Sequence, residues 1–171
     1  MHAVTSRTPA ARNKLNFENE LPTRTACEHG DDAMKMRTFV VEDNATIREN
    51  LICALEELAP VQTVGMADSE EEGAAWLTGH DGQWDLAIVD LFLKKGSGLQ
   101  ILEACRRRGA LQKMVVFTNY ATREMRVRCA QLGVDAVFDK STEIENLLAY
   151  CVAQSQIMDS AGNQDIGLQQ A

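Results

Sequence analysis

The stretch TFVVEDN, residues 38–44, joins a short β-prone run to two adjacent carboxylates, Glu42 and Asp43. The apolar residues favour a buried strand, whereas neighbouring acids repel each other and add nothing to a core. Asn44 is a residue type that caps helix N-termini. Apolar residues then recur at helical spacing: Ile47, Leu51, Leu55 and Leu58. The stretch therefore predicts a strand, a polar turn and a helix, with two acids at the turn.

The same alternation continues towards the C-terminus. Four more apolar runs predict strands: 61–66, 86–89, 114–117 and 136–138. Helical patterns follow them: 69–77, 98–108, 121–132 and a last helix that begins at Ser141 or Thr142. Ser69 and Glu72 have the spacing of a capping box. Five strands that alternate with five helices predict an α/β fold with a doubly wound parallel sheet.

The ends of the 171-residue chain differ from its middle. We expect residues 1–35 to form a disordered arm, residues 36–155 a globular domain, and residues 156–171 a disordered tail. Met34 or Met36 is an alternative native start. No secretory signal or membrane span is evident, so we expect a cytoplasmic protein.

Composition excludes several function classes. The formal net charge of −8 disfavours sequence-independent nucleic-acid binding, which depends on excess Lys and Arg. The five cysteines are an odd number without a CxxC pair, which argues against zinc or a disulfide framework. Four of them lie at apolar helical positions and predict small buried side chains: Cys53, Cys105, Cys129 and Cys151.

Polar residues follow four of the five predicted strands, and the second strand contributes none that is obvious. Beyond Glu42 and Asp43, these are Asp90, Thr118 and Lys140. Parallel strands place their carboxyl ends at one edge, so these side chains should share a cleft. Each alone could be a solvated loop residue or a helix cap. Together, three carboxylates favour Mg²⁺, and a carboxylate beside that ion can accept a phosphoryl group.

The stretches FVVEDN, LAIVDLFLKKGSGL, VVFTN and AVFDKS resemble, in order and spacing, the response-regulator receiver domain. This is the CheY-like family of two-component signalling, and the resemblance covers about residues 36–155. It implies a flavodoxin-like sheet with strand order 2-1-3-4-5 and five helices. It also implies that Asp90 is the phosphoacceptor, with Thr118 as the switch hydroxyl and Lys140 as the lysine of the family motif.

The resemblance further implies a Mg²⁺ site. Asp43 and Asp90 would hold the ion directly, Glu42 would hold it through water, and the backbone carbonyl of Phe92 would complete the protein ligands. We expect a stand-alone receiver without enzyme activity beyond its own phosphorylation and dephosphorylation, because the last 16 or so residues are too few and not basic enough for a DNA-binding module. A histidine kinase or phosphotransfer protein would supply the phosphoryl group, and an unknown output protein would respond, with no DNA-binding domain and no membrane partner.

Two other functions fit parts of the sequence. A degenerate receiver could act as an unphosphorylated scaffold. A Mg²⁺-dependent phosphohydrolase could use Asp90 as nucleophile, although Phe92 stands where such enzymes often carry a second Asp. Three positions depart from the receiver pattern: Asn119 replaces a small residue, Val137 an aromatic, and Ser141 a proline. We expect a trans peptide before Ser141.

Overall fold

The computed structural model describes residues 35–166, with side chains through residue 161. Across them five strands and five helices alternate: β1 (Met36–Val41), α1 (Ala45–Leu58), β2 (Val61–Ala67), α2 (Glu70–Gly79), β3 (Leu86–Val89), α3 (Gly98–Ala104), β4 (Lys113–Thr118), α4 (Arg123–Gln131), β5 (Ala136–Asp139) and α5 (Ile144–Ile166). The predicted disordered arm, apart from Lys35, lies outside the described residues.

The five strands form one parallel sheet in the order β2-β1-β3-β4-β5. This confirms the predicted fold and its strand order. In the register, Val41 pairs with Val89 on β3 and Thr118 pairs with Asp139 on β5. The strands therefore end close together, and the loops that follow them meet at the carboxyl edge of the sheet.

Both faces of the sheet are covered, which explains why the central strands are apolar throughout. One core cluster joins alternate strand residues to α2, α3 and α4 through Leu77, Ile101 and Cys129. The other joins the remaining strand residues to α1 and α5 through Leu51 and Leu147. The sheet is therefore packed on both faces, and the loops at its carboxyl edge start from buried strand ends.

Two helix ends differ from the sequence-based expectation. The helix predicted over 98–108 ends at Ala104 and continues as turns. The last helix runs through Ile166 rather than giving way to a disordered tail after residue 155. Ser155 is buried and Met158 packs against the core, so apolar burial continues past the predicted boundary. Across the described part of the chain, no helix is both apolar and long enough to serve as a membrane span.

Three local predictions about side chains are also resolved. The Asn44 carboxamide oxygen accepts hydrogen bonds from the Thr46 and Ile47 amides, which confirms the α1 cap. Leu58 is 60% exposed rather than part of the buried stripe. Of the four cysteines predicted to be buried, three are buried, but Cys53 is exposed and that prediction is wrong.

Candidate metal site at the carboxyl edge of the sheet

The six residues singled out from the sequence all line one cleft at the carboxyl edge. Its volume is about 210 Å³. Glu42 and Asp43 come from the β1–α1 loop and Asp90 from the end of β3, and each offers a carboxylate oxygen within 4.8 Å of the others. The remaining lining residues include Phe92, Thr118 and Lys140. The convergence that was expected from parallel strand ends is therefore present.

Lys140 bridges two of the carboxylates. Its ammonium donates a hydrogen bond to Asp90 Oδ2 at 2.6 Å and another to Glu42 Oε2. The lysine side chain is only 7% exposed, so these bonds are shielded from water. Its backbone amide donates to the Thr118 carbonyl at 3.0 Å. The end of β5 is thereby tied to the end of β4, which fixes the direction of the side chain.

Asp43 is held by the loop after β3. Its Oδ2 accepts the Lys94 backbone amide at 3.0 Å and lies 3.3 Å from the Lys94 ammonium. Burial by itself raises the pKa of Asp43, but the hydrogen bonds and charge of Lys94 together outweigh burial and set the pKa below its ordinary value. The ammonium is 75% exposed and therefore contributes little through its charge. Asp43 is nonetheless ionised at neutral pH.

The charges of the cleft do not balance. Three carboxylates face the ammoniums of Lys140 and Lys94, and the second of these is largely in water. Two like charges about 4–5 Å apart repel by roughly 3–4 kcal/mol at an effective dielectric of 20. An all-oxygen set with excess negative charge suits a hard divalent cation such as Mg²⁺. The three carboxylate oxygens therefore fit Mg²⁺, the ion that the sequence implied.

Aromatic rings border the cleft. The Phe92 and Tyr120 rings lie 4.6 Å apart between centroids with a tilted geometry, and each residue is more than half exposed. Thr118 is fully buried, and its hydroxyl accepts the Tyr120 amide at 3.4 Å. Asn119 is exposed beside them. Two partly exposed aromatic rings therefore contribute apolar surface to the lining of the cleft.

The loop that carries Lys140 is fixed without proline. The peptide bond before Ser141 is trans, as expected, and Asp139 Oδ1 accepts the Ser141 amide at 2.8 Å. Glu143 Oε2 accepts the Asp139 amide at 2.7 Å and Arg126 Nη2 at 2.6 Å. Arg126 also donates to the Val137 carbonyl. Arg126 thus ties α4 to β5 and the start of α5, a role that its sequence position did not reveal.

Strand β2 supports the site through its backbone, and, as expected from the sequence, no residue of β2 is among those that line the cleft. The Ala67 carbonyl accepts the Glu42 amide at 3.1 Å.

The predicted capping box is not formed: the Ser69 side chain makes no capping hydrogen bond, and Glu72 accepts the Asp68 amide instead. Glu70, at the start of α2, bonds to the loop after β3. Nothing in the run of three glutamates distinguishes Glu70 from its neighbours, because the loop it contacts is 27 residues away.

The chain matches the family model of the response regulator receiver domain over residues 38–151. It is 30% identical over 114 residues to the transcriptional regulatory protein DltR of Streptococcus agalactiae, covering 67% of this chain and 49% of DltR. It is 29% identical over 133 residues to the transcriptional regulatory protein PhoP of Escherichia coli, covering 78% of this chain and 58% of PhoP. The chain therefore spans about half the length of these curated relatives.

Solved structures share the fold. The receiver domain of AraT, a response regulator from Geobacillus stearothermophilus, superposes with a TM-score of 0.63 at 22% identity, covering 75% of this chain and 99% of that one. A DNA-binding response regulator of the LuxR family from Staphylococcus aureus gives a TM-score of 0.61 at 16% identity, covering 70% and 98%.

These relatives correct one prediction. The expectation of a partner set without a DNA-binding domain is wrong, since the curated relatives are transcriptional regulators and this chain matches only their receiver portion. The match to the family model, which covers most of the chain, agrees with the fold and with the acidic cleft at the carboxyl edge. The chain belongs to the response regulator receiver domain family of two-component signalling.

Proposed function

We propose that Asp90 accepts a phosphoryl group from a phosphohistidine of a histidine kinase or phosphotransfer protein. An Asp90 carboxylate oxygen attacks phosphorus, the phosphorus–nitrogen bond breaks, and the imidazole, already protonated on its other ring nitrogen, leaves as the neutral base. The product is an acyl phosphate on Asp90. The observation that carries this proposal is the convergence of Asp90 with Glu42, Asp43 and the buried ammonium of Lys140.

Each remaining residue of the cleft has a place in this step. Lys140 already donates to Asp90 Oδ2, so it is positioned to neutralise an oxygen of the incoming phosphoryl group. The Thr118 hydroxyl lines the same cleft and can donate to another oxygen. Asp43 and Asp90 would hold Mg²⁺ directly, with Glu42 through water and the Phe92 carbonyl as a backbone ligand. Bound Mg²⁺ would offset the negative charge that gathers between the carboxylates and the phosphoryl group.

We further propose that phosphorylation acts on the segment after β4. Thr118 ends β4, and the loop after it leads into α4, which Arg126 ties to the Val137 carbonyl and to Glu143. With Val137 in place of an aromatic, no large ring is available there to be buried on activation. Movement of Thr118 towards the phosphoryl group would instead be passed to α4 through its loop, which changes a protein-binding surface.

Two measurements test the proposal. Phosphorylation by phosphoramidate should require Mg²⁺, should be lost in Asp90→Asn and should persist in Asp68→Asn, which removes an exposed carboxylate at the same edge. Mg²⁺ at about tenfold above its dissociation constant should stabilise the fold by about 1.4 kcal/mol. Uptake without Mg²⁺, or a melting temperature that ignores tens of millimolar Mg²⁺, would contradict the metal site. An unphosphorylated scaffold would bind neither phosphoryl group nor beryllofluoride.

A further inference from the structure

We propose that Glu70 is a positioning residue for the phosphoacceptor site, acting through the loop that follows Asp90. Glu70 is absent from the lining of the cleft and is the first residue of α2. The proposal rests on the proposed function of Asp90. It adds that α2, the helix after β2, sets the geometry of two of the three carboxylates, Asp43 and Asp90.

Glu70 makes two hydrogen bonds to the loop after β3, at Lys95 and at Ser97. Its Oε2 accepts the Ser97 backbone amide at 2.7 Å, and its own backbone amide donates to the Lys95 carbonyl at 3.0 Å. The first bond joins an ionised acceptor to a backbone donor, which is the stronger kind of hydrogen bond. Both bonds connect segments that are about 25 residues apart, so they fix the loop relative to the body of the fold.

Gly96, which lies between Lys95 and Ser97, packs directly on Glu70. A Cβ at this position would lie 2.3 Å from Glu70 Cβ and 2.5 Å from Oε2, and the residue has φ of +88°. Only glycine meets both conditions without strain. The loop and the glutamate side chain therefore fit against each other with no space between them, which shows that the contact is part of the packing and not a loose surface bond.

Two backbone amides of the loop that Glu70 holds donate hydrogen bonds to carboxylates of the cleft. The Lys94 amide donates to Asp43 Oδ2 at 3.0 Å, and the Phe92 amide donates to Asp90 Oδ1 at 3.3 Å. Phe92 also pairs with Ser97 across the loop, so a displacement of Ser97 reaches Phe92 directly. Releasing Ser97 from Glu70 would loosen both contacts, together with the Phe92 carbonyl that is proposed to hold Mg²⁺.

Three variants separate the hydrogen bond from its charge. Glu70→Ala removes both, whereas Glu70→Gln keeps an oxygen that can accept the Ser97 amide. Glu71→Ala is the matched control, because it removes the same charge from the same helical turn, and Glu71 is exposed and accepts no hydrogen bond from the loop within the described residues. All three variants keep the buried face of α2, which is formed by Gly73 and Leu77.

The first readout is amide hydrogen exchange in EDTA, which requires neither metal nor phosphorylation. Glu70→Ala should speed exchange of the Lys94 and Ser97 amides by about tenfold or more, since a lost charge-assisted bond is worth on the order of 1.5 kcal/mol. Exchange in β3 should not change. The second readout is the Mg²⁺ dissociation constant, which should rise by about three- to tenfold, with Glu70→Gln and Glu71→Ala within about twofold of wild type.

Three results would overturn the proposal: unchanged loop exchange and Mg²⁺ affinity in Glu70→Ala, equal losses in Glu70→Ala and Glu70→Gln, or equal losses in Glu70→Ala and Glu71→Ala. The last two would assign the effect to charge alone. If wild-type protein itself neither binds Mg²⁺ nor accepts phosphoryl from phosphoramidate, the proposed function fails. The exchange measurement still shows in that case whether Glu70 holds the loop.

Discussion

The two edges of the sheet use the same residue types in opposite ways. At the amino edge, Asp85 accepts three hydrogen bonds from Arg37: from the backbone amide at 2.8 Å, Nε at 3.0 Å and Nη2 at 2.7 Å. Asp135 accepts Arg108 Nη2 at 2.6 Å and the Met114 amide at 2.8 Å, with the Lys113 ammonium 3.4 Å away. Each of these acids has its own cation and a backbone donor.

At the carboxyl edge the acids outnumber their partners. Asp90 and Glu42 share the ammonium of Lys140, and Asp43 is left with an exposed lysine. Hydrogen-bonded acids with their own cations stabilise a fold, whereas acids that share one cation keep negative charge available for a ligand. The paired carboxylates at the amino edge therefore differ from the three carboxylates of the cleft more in counter-charge than in burial, and the cleft set is the one proposed to bind Mg²⁺ and accept a phosphoryl group.

The largest expected effect is at the amino edge. Asp135→Ala leaves the Met114 amide without its side-chain acceptor and removes the carboxylate partner of Arg108, whose side chain is only 11% exposed and keeps only its carbonyl acceptors. We expect the free energy of unfolding to fall by about 2 kcal/mol. Urea denaturation measures this loss, with Asp68→Ala as a control that should stay within about 0.5 kcal/mol. A loss as small as the control's would remove the contrast between the edges.

At the carboxyl edge the sign should reverse. Asp90→Asn removes one of three repelling charges, and the amide oxygen can still accept the Lys140 hydrogen bond. We expect the unfolding free energy in EDTA to rise by about 1 kcal/mol. The gain should shrink in saturating Mg²⁺, because the cation already neutralises the wild-type cluster. A destabilised Asp90→Asn in EDTA would mean that Asp90 is a structural acid like Asp135.

A smaller effect is expected at the mouth of the cleft. Phe92 is 51% exposed and packs against Tyr120, so we expect the two rings to restrict the approach of water to the acyl phosphate proposed on Asp90. Phe92→Ala should speed hydrolysis of that phosphate by about threefold or more. Following the decay of phosphorylated protein on a gel measures it. Leu111→Ala, at an exposed residue outside the cleft, should decay at the wild-type rate.

The smallest effect concerns Glu143, the paired acid of the carboxyl edge. The Asp139 amide and then the Arg126 guanidinium hold the pKa of Glu143 below its ordinary value. A lowered pKa means that the contribution to stability is present above the unfolded-state pKa and is lost as the pH falls through the folded-state pKa. Glu143→Gln should cost less than about 0.5 kcal/mol at pH 7, because the pair is partly exposed.

This difference between Glu143→Gln and wild type should shrink as the pH falls from about 4.3, the ordinary pKa of a glutamate, through the lower folded-state pKa of Glu143. Urea midpoints measured at pH 7 and at pH 3 give the comparison. A difference that persists unchanged at pH 3 would show that the glutamate acts through packing and not through its charge.

The strands, and the convergence of polar residues at their carboxyl ends, were predictable because they depend on short-range patterns and on parallel pairing. Residues 86–89 are apolar throughout and became a strand buried on both faces, and Asp90 follows where the strand must end. Parallel pairing then brings the strand ends together whatever the loops do. Helix ends were less predictable: α5 passes residue 155 with Ser155 and Met158 still in contact with the core, and nothing local in the sequence indicates that contact.

The contacts that support the site could not be predicted for the same reason. Glu70 reaches Ser97, and Arg126 reaches Val137 and Glu143, through bonds that depend on loop conformation and on the packing of whole helices. Val137 and Ser141 were recognised as departures from the receiver pattern. The contacts that hold these two positions became visible only in the structure: Arg126 donates to the Val137 carbonyl, and Asp139 accepts the Ser141 amide.

The most direct test of the central claim locates the phosphoryl group chemically. Protein phosphorylated by phosphoramidate with Mg²⁺ is treated with sodium borohydride, which reduces an aspartyl phosphate to homoserine, and peptides are sequenced by mass spectrometry. We predict homoserine at position 90, dependent on Mg²⁺ and absent from Asp90→Asn. Homoserine at another aspartate with residue 90 unmodified, or phosphate retained on a hydroxyl or imidazole side chain, would contradict the assignment of Asp90 as the phosphoacceptor.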